Sequence, residues 1–267
     1  MLCLSATAVP GRAYGWGWSQ ARGAHYLKVW DRSLLGNRAY FSDGTARYVG
    51  AFGDHALNYY FEYGATDRWT FVTFGRPVGL ATFSGNTRGY VGDLNVGLRR
   101  GLLQGVWNLA VEAHYGYAPP VGETALGRGT AEGQPFEYTP TLEMHRLEAE
   151  LQLGRGLWRG GWVSAQAGFR WWVREGVGPA VYGGVQVGHQ FGFGLTVSGT
   201  VLAHQPLNAV TITNIPGTGQ TRYVGFAIDL SYWFTPRWSI TAGIGGAPFA
   251  QSNAAAIPIL VGFEHRG

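Results

Sequence analysis

Lysine is nearly missing from this 267-residue chain: Lys28 is the only one, so arginine carries almost all of the positive charge. Charged residues of both signs amount to 13%, against roughly a quarter in an ordinary soluble domain. The net charge of +4 is scattered, with no basic helix and no base-stacking motif, which excludes nucleic acid as a partner. Cysteine is confined to Cys3. The rest of the chain therefore has no disulfide, thiol nucleophile or cysteine-based metal site, a usage that suits an oxidising envelope compartment. No stretch reaches the roughly eighteen apolar residues of a transmembrane helix. A barrel escapes that test, because only alternate residues of its strands face lipid.

What the chain has instead is alternation. From Leu142 to Leu153 it reads Leu-Glu-Met-His-Arg-Leu-Glu-Ala-Glu-Leu-Gln-Leu. Leu147, Ala149, Leu151 and Leu153 alternate with Arg146, Glu148, Glu150 and Gln152, so one face of a strand is apolar and the other polar. The same reading predicts strands near 24–30, 56–63, 69–74, 93–99, 107–117 and 143–153. It continues near 162–172, 181–190, 195–204, 223–234, 238–244 and 257–265. Each is about the length of a tilted membrane strand.

The connections alternate too. Short ones at 64–68, 100–106, 154–161, 191–194 and 235–237 separate long ones at 31–55, 75–92, 118–142, 173–180, 205–222 and 245–256. An antiparallel barrel with short periplasmic turns, longer extracellular loops and both termini inside produces that rhythm. The expected fold is all-β: an antiparallel transmembrane β-barrel of about twelve strands, in a range of about ten to fourteen, in the outer membrane of a Gram-negative bacterium. Residues 1–13 carry a short apolar core and small-residue cleavage patterns and read as a signal-peptide remnant. Residues 14–22 form an N-terminal segment that either leads into the barrel or folds inward as a plug, and 23–267 form the barrel.

Aromatic residues crowd the short-turn ends of the strands. Tyr63, Trp69, Trp107, Trp158, Trp162, Phe191, Phe193, Tyr232, Phe234 and Trp238 are expected to form the inner girdle at the headgroup level. Thr66-Asp67-Arg68-Trp69-Thr70 is echoed by Thr235-Pro236-Arg237-Trp238-Ser239, a turn followed by a strand that opens on tryptophan. The same turns carry Arg68, Arg100, Arg155, Arg159 and Arg237, a basic periplasmic rim. Such a rim fits either anionic lipid headgroups or an acidic periplasmic protein partner.

Three segments carry a family likeness. Glu62-Tyr63-Gly64-Ala65-Thr66-Asp67-Arg68-Trp69-Thr70 resembles the strand-turn-strand signature of the phenol-degradation MetA-pathway-like family of outer-membrane transporters. Gly92-Asp93-Leu94-Asn95-Val96-Gly97-Leu98-Arg99 resembles that family's next strand, and Tyr232-Trp233-Phe234-Thr235-Pro236-Arg237-Trp238-Ser239 its penultimate hairpin. The resemblance spans most of 14–265 and implies an outer-membrane barrel that admits small, often aromatic or hydrophobic, molecules.

Strand parity assigns Lys28, Asn58, Glu62, Asp93, Asn95, Arg99, Glu112, His114, Arg146, Glu148, Glu150, Gln166, Arg170, Asp229 and Glu264 to the pore lumen. Small inward residues such as Gly97, Gly168, Gly188, Thr200 and Gly262 favour some free space beside them. The charges either line a wetted path and bias which solutes pass or pair across the lumen and fill it. The expected function is therefore passive or gated passage of small solutes, the alternative an anchoring barrel with a closed lumen. Catalysis is not expected. His114 with Glu112 two residues away suits a base and its orienter, but such a pair in a polar lumen is ordinarily a hydrogen bond, and no serine accompanies the outward His189. No cofactor or metal site is expected, since the seven histidines show no ligand spacing.

Overall fold

Period-two alternation builds long antiparallel strands, and the computed structural model, which describes residues 17–157, 160–210 and 212–267, contains no helix in them. The barrel strands are β1 (His25–Tyr40), β2 (Ala46–Gly64), β3 (Trp69–Phe83), β5 (Leu94–Leu103), β6 (Trp107–Ala118) and β9 (Met144–Gly156). They continue with β10 (Gly161–Val173), β11 (Ala180–Gln190), β12 (Leu195–Pro206), β14 (Arg222–Trp233), β15 (Trp238–Gln251) and β17 (Ile259–Arg266). Short strands β4 (Asn86–Tyr90), β7 (Gly127–Ala131), β8 (Gln134–Tyr138), β13 (Thr213–Asn214) and β16 (Asn253–Ala254) lie in the long connections.

Each barrel strand pairs with its chain neighbours, and β17 returns to β1 through Tyr26↔Arg266 to Ser33↔Ile259, so twelve antiparallel strands close. Closure leaves no sheet edge unpaired, which is what a strand structure needs in a medium without water. The ends of the described chain meet at the short-turn side, where the His25 amide donates to the Gly267 carbonyl at 2.9 Å. The expected signal-peptide segment and residues 14–16 lie outside the described residues.

The exterior is apolar and exposed. On β5, Leu94, Val96 and Leu98 point out while Asn95, Gly97 and Arg99 are buried, and on β9 Leu147, Leu151 and Leu153 point out. A soluble protein does not leave such a continuous band to water; a membrane barrel needs it. The outward Trp107 and Tyr115 on β6 are eight residues apart, about 26 Å along the strand and about 20 Å across a membrane at barrel tilt. That matches the apolar band of outer-membrane barrels.

The echoed sequence proves to be one turn used twice. Thr66 Oγ1 accepts from the Trp69 amide at 3.0 Å, and Thr235 Oγ1 accepts from the Trp238 amide at 2.9 Å. A threonine hydroxyl thus closes each turn where a backbone carbonyl would otherwise be needed.

The long connections are more ordered than the alternation indicated. β2 has 19 residues, about 60 Å of strand, whereas a tilted crossing takes about ten residues. β1, β2, β3 and β15 therefore project beyond the membrane as a wall, and much of 31–55 is strand. The β7–β8 hairpin folds into the outer mouth, and β13 pairs with β8 in parallel. Phe136 sits edge-on to Phe41 and Phe83, and the Tyr138 ring stacks on Phe83 at 5.4 Å. With Leu34, Phe52, Leu126 and Ile215 these rings form the apolar core of the molecule, a cap outside the membrane. Burial and the nearby Asp54 carboxylate push the Tyr138 phenol above its ordinary value.

Candidate functional site

Inward parity collects the charges into three groups. In the first, Lys28 of β1 lies 3.6 Å from Asp229 and 3.7 Å from Glu264, and Ser231 and Ser239 each donate to Glu264 at 3.0 Å. In the second, Arg99 of β5 joins Glu62 of β2 at 2.6 Å to Glu112 of β6, which touches His114. Gln152 extends that group from Glu112 at 3.0 Å to Glu150, and Tyr182 donates to Glu150 at 2.7 Å. In the third, Asp93 lies between Arg76 at 2.8 Å and Arg146 at 3.2 Å, and Glu148 between Arg146 at 3.1 Å and Arg170 at 2.9 Å. Asn95 accepts from Arg146 at 2.6 Å. Asn58 and Gln166 sit on the same inward face, Asn58 donating to the Ala56 carbonyl.

Register explains these neighbours. Arg99 is directly opposite Glu112, and Arg170 opposite Glu148, so partners stand side by side on adjacent strands. Arg99 has only 3% of its side chain exposed. A guanidinium so buried persists because four of its five donors are engaged, on both glutamates, on the Tyr60 hydroxyl and on the Trp18 carbonyl.

The described part of the N-terminal segment enters the inner mouth. The Gly17 amide donates to Gln152, the Gln20 amide to Thr70 at 2.9 Å, and the Gln20 side chain to Glu62 at 2.5 Å. These bonds attach the segment to the Arg99 group.

A cavity of about 620 Å³ opens on the outer side, lined by aromatic and charged residues including Trp30, Phe74, Arg146, Trp172 and Tyr223. A second of about 780 Å³ lies on the inner side, lined by Trp18, Lys28, Arg99, Trp162, Ser198 and Asp229, among others. Trp30, Tyr60 and Leu260 line both.

Of the expected girdle, Tyr63, Trp69, Trp107, Phe191, Phe193, Tyr232, Phe234 and Trp238 are exposed on the exterior at the short-turn end. Trp162 departs from it: it is 2% exposed and lies on the inward face of β10 with Ser164, Gln166 and Arg170. Its ring lies across Gly188, directly opposite on β11, where the missing side chain makes room. The Tyr182 ring covers Gly168 in the same way, and Gly262 lies close against the Val29 carbonyl and the Trp30 Cα and Cβ, so neither glycine leaves the open space that was expected. Trp158 and Arg159 lie outside the described residues. Arg68, Arg100 and Arg237 are exposed at the turns, and Arg100 and Arg155 lie over Trp69 and Trp107, 5.3 and 4.8 Å from the ring centroids.

Two associations went unread in the sequence. Glu112, His114 and Glu150 present ligand-type atoms within 4.8 Å of one another, although no metal site was expected. On the exterior, Ser33 bonds Asp31 and His55, each at 2.8 Å. The serine is central there, so the histidine is not oriented by the carboxylate as a general base requires.

No protein-family model matches the chain, and no curated protein matches it by sequence. Solved structures do share its fold. An outer membrane channel from Pseudomonas putida F1 superposes with a TM-score of 0.64 at 14% identity, over 97% of this chain and 99% of that one. The NanC porin gives 0.58 at 8% identity, over 89% and 98%. The translocator domain of the autotransporter NalP from Neisseria meningitidis gives 0.53 at 12% identity, over 92% and 90%. The fold is that of outer-membrane β-barrels, the architecture the family resemblance implied.

Proposed function

We propose that this barrel is an outer-membrane channel of a Gram-negative bacterium that passes small solutes through a gated lumen. The observation that carries the reading is the pair of cavities on opposite sides of one ion-paired belt, sharing Trp30, Tyr60 and Leu260 as lining. Movement of the Tyr60 and Trp30 side chains, with the N-terminal segment withdrawn, joins them. The outer cavity, of a size for one small molecule, offers aromatic faces beside arginines, which favours small aromatic or hydrophobic solutes with a polar end. The lumen residues Arg146, Glu148 and their partners set selectivity, and residues 14–22 act as the plug. The exterior rings anchor the barrel at the inner leaflet, and the basic rim meets anionic headgroups. The role is passage, not catalysis.

A second reading, a closed barrel that anchors an acidic periplasmic partner at the rim, is favoured by how completely the Arg99 donors are used. Single-channel recording in a planar bilayer separates the two. A steady conductance that rises on deleting residues 9–22, and whose ion preference shifts with Arg146→Gln or Glu148→Gln, supports the channel. A correctly folded but silent barrel in both forms supports the anchor.

A further inference from the structure

One carboxylate in the belt has no cation. Glu150 of β9 stands directly opposite Glu112 of β6, on the same inward face. Like charges so placed repel, and a buried carboxylate needs a compensating partner. Glu112 has Arg99; Glu148, two residues from Glu150, has Arg146 and Arg170. Glu150 forms no ion pair among the described residues. Its oxygens are held only by neutral donors, Gln152 and the Tyr182 hydroxyl.

Beside the two glutamates lies His114, 7% exposed, with its Nδ1 buried and lacking a hydrogen-bond partner. Nε2 faces Glu112, in ion-pair contact with its Oε1, and Phe74 packs edge-on against the ring at 5.1 Å. We propose that Glu112, His114 and Glu150 bind a divalent transition-metal ion of the Zn²⁺ type on the inner wall of the barrel. One imidazole and two carboxylates form a donor set for such an ion, and three protein ligands leave a position for water. The imidazole disfavours Mg²⁺ and Ca²⁺, which take oxygen ligands. Arg99, Gln152 and Tyr182 bond the ligating carboxylates from behind, the outer shell that orients metal ligands. The half-buried Glu150 is the side from which the ion enters. Two positive charges placed there turn the facing glutamates from a repelling pair into a bridge between β6 and β9.

The test reads binding and not passage, so it stands apart from the channel reading. The full chain, refolded in detergent and stripped with chelator, is titrated with Zn²⁺ in a calorimeter. The expected result is one saturable site that equimolar Mg²⁺ does not displace. His114→Ala should weaken binding at least about tenfold, the scale on which even outer-shell changes act. Glu150→Gln should do the same while its amide oxygen still accepts from Gln152 and its NH2 donates to the Tyr182 hydroxyl oxygen, and circular dichroism checks that both fold. The competing zinc ligands are His25 and His265, whose ring nitrogens lie 3.2 Å apart at the short-turn end. His25→Ala should leave the site intact. Failure of the wild type to bind, or binding lost in the His25 variant and kept in the His114 and Glu150 variants, overturns the proposal. A Glu150→Gln barrel that matches the metal-free wild type, when neither binds zinc, means that a proton neutralises Glu150 instead.

Discussion

The two walls of the lumen are built on opposite principles. On β5, β6 and β9 the inward positions include Arg99, Glu112, His114, Arg146, Glu148 and Glu150; on β11, β12 and β14 the small residues Gly184, Gly188, Thr196, Ser198, Thr200, Gly225 and Ala227 stand among the larger Tyr182, Gln186, His204, Tyr223 and Asp229. Long charged side chains reach across and pair, so their wall is filled. Short ones leave the space in front of them to a ring, to water or to a solute. Both cavities run along the second wall: Thr196 and Ser198 line the inner one, Gly225 and Ala227 the outer. On the proposed channel reading a solute would pass between the two walls, since Arg146 also lines the outer cavity and Arg99 the inner one.

The largest effect should come from the charged wall. Arg99→Met removes the cation between Glu62 and Glu112 and leaves two carboxylates 6% and 4% exposed without it. Breaking a buried pair from one side costs about 3–5 kcal/mol. Urea unfolding of the barrel in detergent should show a midpoint lowered accordingly. Ser198→Ala on the opposite wall should stay within about 0.5 kcal/mol. Equal losses in the two variants would mean that the walls do not differ in how they hold the fold.

How far this division was legible in the sequence depends on the distance over which each signal acts. Strand parity is local, and it placed Glu112, His114, Glu148 and Glu150 on one face. Register is not: that Glu150 faces Glu112, and that Arg99 faces Glu112 from the other side, follows from pairings between strands that no single segment encodes. Trp162 was legible and was misread. It shares parity with Gln166 and Arg170, both assigned inward, but nearness to a turn placed it in the girdle; the pleat decided. Beyond the membrane both faces of a strand meet water or the cap, so alternation fades. That is why the upper halves of β1 and β2 read as loop.

The second effect tests whether the small wall is as open as its residues suggest. A methyl group at Gly188 would collide with the Trp162 ring, whereas Gly199, on the outward face of the neighbouring strand, has nothing near it. Gly188→Ala should cost about 1–3 kcal/mol by overpacking, and Gly199→Ala close to nothing. In a Trp162→Leu background the Gly188→Ala penalty should largely vanish. The coupling from that double-mutant cycle measures how firmly the ring is seated. Additive losses would mean that Trp162 moves freely and that the inner cavity is larger than it stands here.

The smallest effect lies outside both walls, where the same kind of charge pair is solvated. Asp43, in the turn between β1 and β2, accepts from Arg47 at 2.7 Å and from the Thr45 amide at 2.9 Å, and Arg47 reaches on to Glu132 of the hairpin cap at 2.9 Å. The hydrogen bonds from Arg47 and Thr45 hold the Asp43 carboxyl below its ordinary value. A depressed carboxyl stabilises the turn above the unfolded value of about 4 and loses that contribution as pH falls below it. Amide exchange at Thr45, corrected for its intrinsic rate, should therefore be slower near about pH 6 than near about pH 3. Asp43→Asn should remove the difference, and salt should shrink it, because an exposed pair is screened where the Arg99 belt is not. If protection at Thr45 ignores both pH and salt, the turn is held by packing of the cap alone, and charge organises this protein only where lipid and protein exclude water.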